Sequence, residues 1–132
     1  DIGKQADAAQ LPKIYQVNWF RRDDEDGSFL WPGFGENSRV LKWIIERLEG
    51  TADAVETPVG LVPTPESLDT TGLAMSREQV AKALAVKTED WVKETALISD
   101  WLDKFGDNLP TQIRDEFNTL QQRVTEASPA SD

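Results

Sequence analysis

Residues 29–44 read FLWPGFGENSRVLKWI: an apolar triplet, a Pro-Gly-Phe-Gly turn and the opening of a helix. Pro32 fixes its own φ, and Gly33 and Gly35 permit backbone conformations that other residues avoid. Asn37 or Ser38 can cap the helix. Val40, Leu41, Ile44, Ile45 and Leu48 recur at helical spacing on one face, and Gly50 predicts the stop. Upstream, IYQVNWF (14–20) is rich in β-branched and aromatic residues and predicts a buried strand. RRDDEDG (21–27) is a turn signal closing on Gly27, so FLW (29–31) predicts the returning strand of a hairpin.

Downstream, TPVGLVP (57–63) predicts a short strand and PTPESLDTTG (63–72) a loop. Ser76 with Gln79 forms a capping-box pattern that opens a helix through Leu84. A long helix is predicted from Thr88 to Phe105, with Trp91, Ile98, Leu102 and Phe105 on one stripe and Gly106 after it. Pro110 suits a first helical position. Ile113, Phe117, Leu120 and Val124 make the stripe of the last helix. TEASPASD (125–132) predicts a disordered tail. These stripes read as core seams, with solvated charges opposite, and nothing in residues 48–132 calls for chemistry.

The 132 residues contain no cysteine and no histidine. That excludes a disulfide framework, thiolate metal sites, and any Ser-His-Asp, Cys-His or His-metal chemistry carried within the chain. A formal charge of −10 disfavours nucleic acid and anionic membrane surfaces as partners. The imbalance is uneven: residues 13–47 are neutral overall, whereas residues 48–132 carry −9. An anion is therefore tolerated best beside residues 13–47. No apolar run approaches the roughly 20 residues of a membrane helix, and no secretory signal is visible, so a cytoplasmic setting is expected.

Seven of the eleven aromatic residues fall within 15–43: Tyr15, Trp19, Phe20, Phe29, Trp31, Phe34 and Trp43. Phe34 lies between two glycines on a loop. Trp19 and Phe20 are neighbours, so on a strand they would face opposite ways. Two readings are open. The rings form a small hairpin core, or they form a platform on which a flat heteroaromatic base stacks, at about 1–3 kcal/mol per contact. Asn37 favours guanine under the second reading. Its planar amide offers an acceptor and two donors to the N1–H/N2–H and O6 edge of that base. DDED (23–26) reads as a solvated turn rather than a carboxylate-paired active site.

PKIYQVNWFRRD (12–23) and FLWPGFGENSRVLKWI (29–44) closely resemble the C-terminal part of the GTP-dependent phosphoenolpyruvate carboxykinases, and weaker similarity continues through TPVGLVP and the terminal helices. RRDDEDGS, between Phe20 and Phe29, is one residue longer than its counterpart in animal members. The resemblance implies an α+β piece of a larger α/β enzyme: short strands carrying an aromatic base pocket, then a helical cluster. It implies a lyase converting oxaloacetate and GTP to phosphoenolpyruvate, carbon dioxide and GDP in gluconeogenesis. Phe20 and Phe34 would sandwich guanine, Trp19 and Phe29 would line the pocket, and Phe34, Gly35, Glu36 and Asn37 would contact the nucleotide. Mn²⁺ and Mg²⁺, the phosphate-binding loop and the catalytic residues would lie outside this chain, in the N-terminal part of the same, monomeric enzyme. The chain alone is then expected to be inactive. From a different class, an acidic, non-enzymatic module could grip a proline-rich peptide on its aromatic patch, or the rings could simply pack against a partner domain.

Overall fold

A tight 3₁₀ turn, Phe34–Glu36, feeds helix α1, Asn37–Leu48. The turn starts at Gly33, whose φ of 127° is open only to glycine. The Glu36 N–H reaches the Gly33 carbonyl and the Asn37 N–H reaches that of Phe34. The turn satisfies these amides, so neither Asn37 nor Ser38 acts as the cap. Glu36 occupies that position without a side-chain bond. Gly50, at φ 75°, ends the helical path as expected.

The computed structural model describes residue 7 and residues 11–128. After α1 come β1 (Ala54–Thr57), β2 (Gly60–Pro63), α2 (Arg77–Leu84), α3 (Thr88–Asp103) and α4 (Thr111–Ala127). β1 and β2 pair antiparallel, Ala54 opposite Pro63 and Thr57 opposite Gly60. TPVGLVP is thus the end of one strand, a reversal and a second strand, not one continuous strand. Pro58 has no N–H for a ladder, and Gly60 takes φ 122° at the reversal.

Trp43 on α1 anchors the core with Ala52, Leu68 and Val80, and Trp31, Val40, Ile44, Ala54, Met75 and Leu84 pack around them. Its indole N–H donates to the Asp53 carbonyl and the Ser67 hydroxyl, both at 3.1 Å. Because Trp43 takes the core seat, the expected α1 face divides. Val40 and Ile44 pack inward, whereas Leu41, Ile45 and Leu48 are exposed.

The predicted strand over 14–20 does not form. Ile14 is 95% exposed, and the Asn18 Oδ1 accepts the Phe20 N–H at 3.0 Å, turning the chain. The predicted hairpin reduces to one bridge, Arg22 with Phe29, around the 21–27 turn. A β-rich composition cannot become a strand without a ladder partner, and none pairs with 14–20 among the described residues.

α2 opens with the expected capping box: Ser76 Oγ accepts from the Gln79 N–H at 3.2 Å and Gln79 Oε1 accepts from the Ser76 N–H at 2.7 Å. α3 packs on α4, with Thr95 and Leu102 buried on α3 and Phe117 and Val124 buried on α4. These residues are not part of the Trp43 cluster. α3 stops at Asp103, leaving Phe105 beyond it with its ring edge-on to Trp101 at 4.8 Å. Pro110 stands at the N-cap of α4. Of the expected tail, Thr125–Ala127 are the last turn of α4, and residues 129–132 lie outside the described residues. Among the described residues no helix is long and apolar enough to cross a membrane.

Candidate functional site

The 21–28 turn is held by a dense local network. The Asp23 N–H donates to the Ser28 carbonyl at 2.8 Å, Gly27 to that of Asp23 at 2.9 Å, and Leu30 to that of Arg21 at 2.9 Å. Asp23 and Asp26 each accept a backbone N–H two residues ahead. Phe20 and Phe29 flank this turn with ring centroids 6.4 Å apart and planes at 65°. Both are exposed, Phe20 at 76%. The Arg22 guanidinium lies 4.0 Å over the Phe29 ring and donates to the Gly27 carbonyl at 2.6 Å.

The acidic turn is not merely solvated. Lys82, in the last turn of α2, pairs with Asp23 at 2.8 Å and with Glu25 at 3.5 Å, and Lys87 pairs with Asp24. The Lys82 ammonium, helped by the Glu25 amide, holds the Asp23 carboxyl below the usual carboxylate range, and Asp23 raises Lys82 in return. Arg21 donates to the Ala83 and Ala85 carbonyls. These are the acceptors a helix C-terminus leaves unmatched. The turn carrying the Phe20–Phe29 pair is therefore braced on the α2–α3 junction.

Trp19 lies 6.3 Å from Trp31, ring to ring. The Trp31 Nε1–H donates to Asn37 Oδ1 at 2.9 Å. Gly33, between them, makes the reversal that brings these side chains together. Phe34 is 90% exposed and makes no ring contact with another aromatic among the described residues. Gly35 differs from the other described glycines in that its φ is not positive; like them, it would meet nothing within 4 Å of an added Cβ. Neither backbone nor packing demands glycine there. Glu36 is half-buried and pairs with Arg39 at 2.6 Å, and Arg39 also donates to the Asp69 carbonyl at 2.9 Å. Glu36 is thus a strut of α1.

The structure therefore brings together Phe20 with Phe29, Trp19 with Trp31, and Trp31 with Asn37. It presents Phe34 alone on its turn. Sequence reasoning counted Trp31 among the clustered rings but gave neither it nor Arg21 or Arg22 a role in the site. Their signal lay in the basic and indole groups flanking the turn glycines. A shallow concavity of about 580 Å³ lies elsewhere, lined by Lys42, Glu46, Glu66, Asp69 and Arg77 among others. Its charges satisfy one another: Lys42 pairs with Asp69 and Glu46, and Arg77 with Glu66. It has no convergent unpaired group, so the exposed aromatic segment is the better candidate. Among the described residues no group of three or more carboxylates could hold a metal ion.

These groups offer aromatic faces and amide hydrogen bonds. The exposed faces of Phe20 and Phe34 supply π surface, the Asn37 amide supplies directional hydrogen bonds, and Arg22 supplies a nearby cation.

Comparison with known proteins gives the chain a family. The model of the phosphoenolpyruvate carboxykinase C-terminal P-loop domain matches residues 1–123. Phosphoenolpyruvate carboxykinase (GTP) of Renibacterium salmoninarum is 52% identical over 124 residues, 94% of this chain and 20% of the relative. The protein of the same name from an Arthrobacter species is 50% identical over 127 residues, 96% of this chain and 21% of the relative. That of Treponema pallidum is 46% identical over 131 residues, 98% of this chain and 21% of the relative. The chain thus spans about a fifth of the length of the curated relatives it matches.

Proposed function

The chain belongs to the GTP-dependent phosphoenolpyruvate carboxykinase family, matching its C-terminal domain, and from that membership we propose that residues 19–37 hold the guanine base of GTP and GDP. Phe20 and Phe34 stack on the base, Trp19 and Phe29 border it, and Phe34, Gly35, Glu36 and Asn37 line the nucleotide. The observation that carries the reading is Phe34: a phenylalanine 90% exposed, fixed on a 3₁₀ turn. Gly35 supports it, since a glycine that its own chain does not require leaves room for close approach of a ligand. The exposed pair of Phe20 and Phe29 supports it too. A hairpin core would have buried these rings.

In the intact enzyme this site would anchor GTP while oxaloacetate loses carbon dioxide and the resulting enolate takes the γ-phosphoryl group, leaving phosphoenolpyruvate and GDP. The chain's own part is binding and orientation. It contains no G-x-x-x-x-G-K-[ST] phosphate loop, so the phosphates are held by the rest of the enzyme. Mn²⁺ and Mg²⁺ would neutralise charge on substrate and phosphates. No described cluster fits either ion, and no role for this chain runs through them. The proposal includes residues 1–132 as one part of the nucleotide-binding domain of a monomeric, cytoplasmic enzyme of gluconeogenesis. Binding to nucleic acid or a membrane surface is not part of it, in keeping with the charge of −10. The chain alone is inactive under this reading. A peptide-gripping module rests on the aromatic patch alone and has no support from the family match.

The test is tryptophan fluorescence of the chain titrated with GDP and, separately, ADP. Trp19 and Trp31 report from the site, while Trp43 is buried and fully hydrogen-bonded. A saturable change with GDP and little with ADP is expected. Equal responses overturn guanine selectivity, and no response to either overturns a base site preformed in these residues.

A further inference from the structure

An asparagine amide is nearly symmetric in shape but opposite in chemistry at its two ends. With one orientation it meets guanine: Oδ1 accepts N1–H and Nδ2 donates to O6. Flipped, it meets adenine equally well, Nδ2 donating to N1 and Oδ1 accepting from the 6-amino group. Asn37 alone therefore does not choose between the two purines. Something must fix its orientation.

We propose that Trp31 is that specificity-determining positioning residue: its indole N–H, 2.9 Å from Asn37 Oδ1, locks the amide in the guanine-reading orientation. The indole nitrogen is a donor only, so the Asn37 atom facing it must be the oxygen. A carbonyl oxygen has two lone pairs, so Oδ1 still accepts from a base while Trp31 holds the first. Adenine would require the flip, which sets Nδ2 against the indole N–H, donor to donor, and breaks the existing bond. The lock is itself held. Trp31 packs against the Trp43, Ala52, Leu68 and Val80 core and touches the Trp19 ring, and Asn37 is the first residue of α1. This inference rests on the guanine reading above and assigns its selectivity to a residue that does not touch the base edge.

The experiment is calorimetric titration of the chain and its Trp31→Phe, Asn37→Ala and doubly substituted variants with GDP and with ADP. Phenylalanine keeps the ring against the core and removes only the donor. Trp31→Phe is expected to narrow the GDP-over-ADP preference by about tenfold, the scale of one unsatisfied buried donor or acceptor, with part of the change appearing as a gain in ADP affinity. A purely structural role would weaken both nucleotides alike and would overturn the proposal. In the Asn37→Ala background Trp31→Phe is expected to leave the ratio unchanged, because Trp31 acts through Asn37. A further narrowing there overturns it. The lock is also read without nucleotide. The Trp31 indole N–H resonance is expected to shift in Asn37→Ala, and an unmoved resonance means that the lock does not form. An intact lock in a wild-type chain that binds no GDP overturns the base-site reading, and the specificity role falls with it.

Discussion

Lys82 Nζ lies 2.8 Å from Asp23 Oδ2, joining the end of α2 to the turn that carries Phe20 and Phe29. With Lys87–Asp24 and the Arg21 contacts to the Ala83 and Ala85 carbonyls, it is one of several links across the same seam. Each exposed ion pair is weak alone, and the network matters because it orients one short segment. Reversing both lysines, Lys82→Glu with Lys87→Glu, is expected to speed amide exchange at Asp23, Gly27 and Leu30 and to weaken GDP binding severalfold. Adding Asp23→Lys and Asp24→Lys is expected to restore much of both. Hydrogen-exchange mass spectrometry and GDP titration are the measurements.

Phe34→Ala is expected to weaken GDP binding by about 1–3 kcal/mol, the value of a lost stacking contact. ADP, where it binds at all, loses as much, because stacking does not distinguish purines. The melting temperature should stay close to wild type, since the ring is 90% exposed. An unchanged affinity would remove Phe34 from the site.

Asp69 offers a pH test of the α1 brace. It accepts from Lys42 at 2.7 Å and from the Thr71 N–H at 3.1 Å, and these bonds hold its carboxyl far below the usual range. A depressed folded-state value stabilises the fold above the unfolded value, near pH 4, and the benefit is lost as pH falls from there through the folded value. Asp69→Asn is therefore expected to melt below wild type by a constant margin from pH 7 to about pH 5. Below about pH 4 the margin is expected to shrink. Thermal melts across this range measure it.

In the helical hairpin, Phe117 is 7% exposed and Val124 1%. Phe117→Ala is expected to cost about 3–5 kcal/mol. Trp43→Phe is expected to cost about 1–3 kcal/mol through the Asp53 carbonyl it leaves without the indole donor, while Ser67 Oγ keeps the Thr64 N–H. Urea denaturation reads both.

The helices were legible in the sequence because each carries its own evidence. Ser76 and Gln79 announce α2 within four residues, and Phe117 and Val124 recur on one face of α4. The proposed base-site residues stood out because rings cluster over 15–43 and one of them, Phe34, sits between two glycines on a loop. Residues 14–20 misled because β-branched and aromatic composition encodes apolar surface, not a ladder, and a strand needs a partner that local sequence does not name. Helix α1 misled on its face because period alone does not say that Trp43 outcompetes Leu41 for the core. The Trp31–Asn37 bond was hidden because it depends on the φ of Gly33. The acidic turn hid its role because its partners, Lys82 and Lys87, lie far along the chain.

The separation between the Trp43 cluster and the Phe117–Val124 pair bears on how the molecule comes apart. Only Ala85, Val86 and Lys87 connect α2 to α3, and among the described residues no buried side chain belongs to both centres. Such an arrangement loosens all-or-none cooperativity. The van't Hoff enthalpy of melting then falls short of the calorimetric one. A ligand seated at residues 19–37 stabilises the cluster it adjoins by mass action and lends little to the helical hairpin, so saturating GDP would pull the two transitions apart on the temperature axis rather than raise them together.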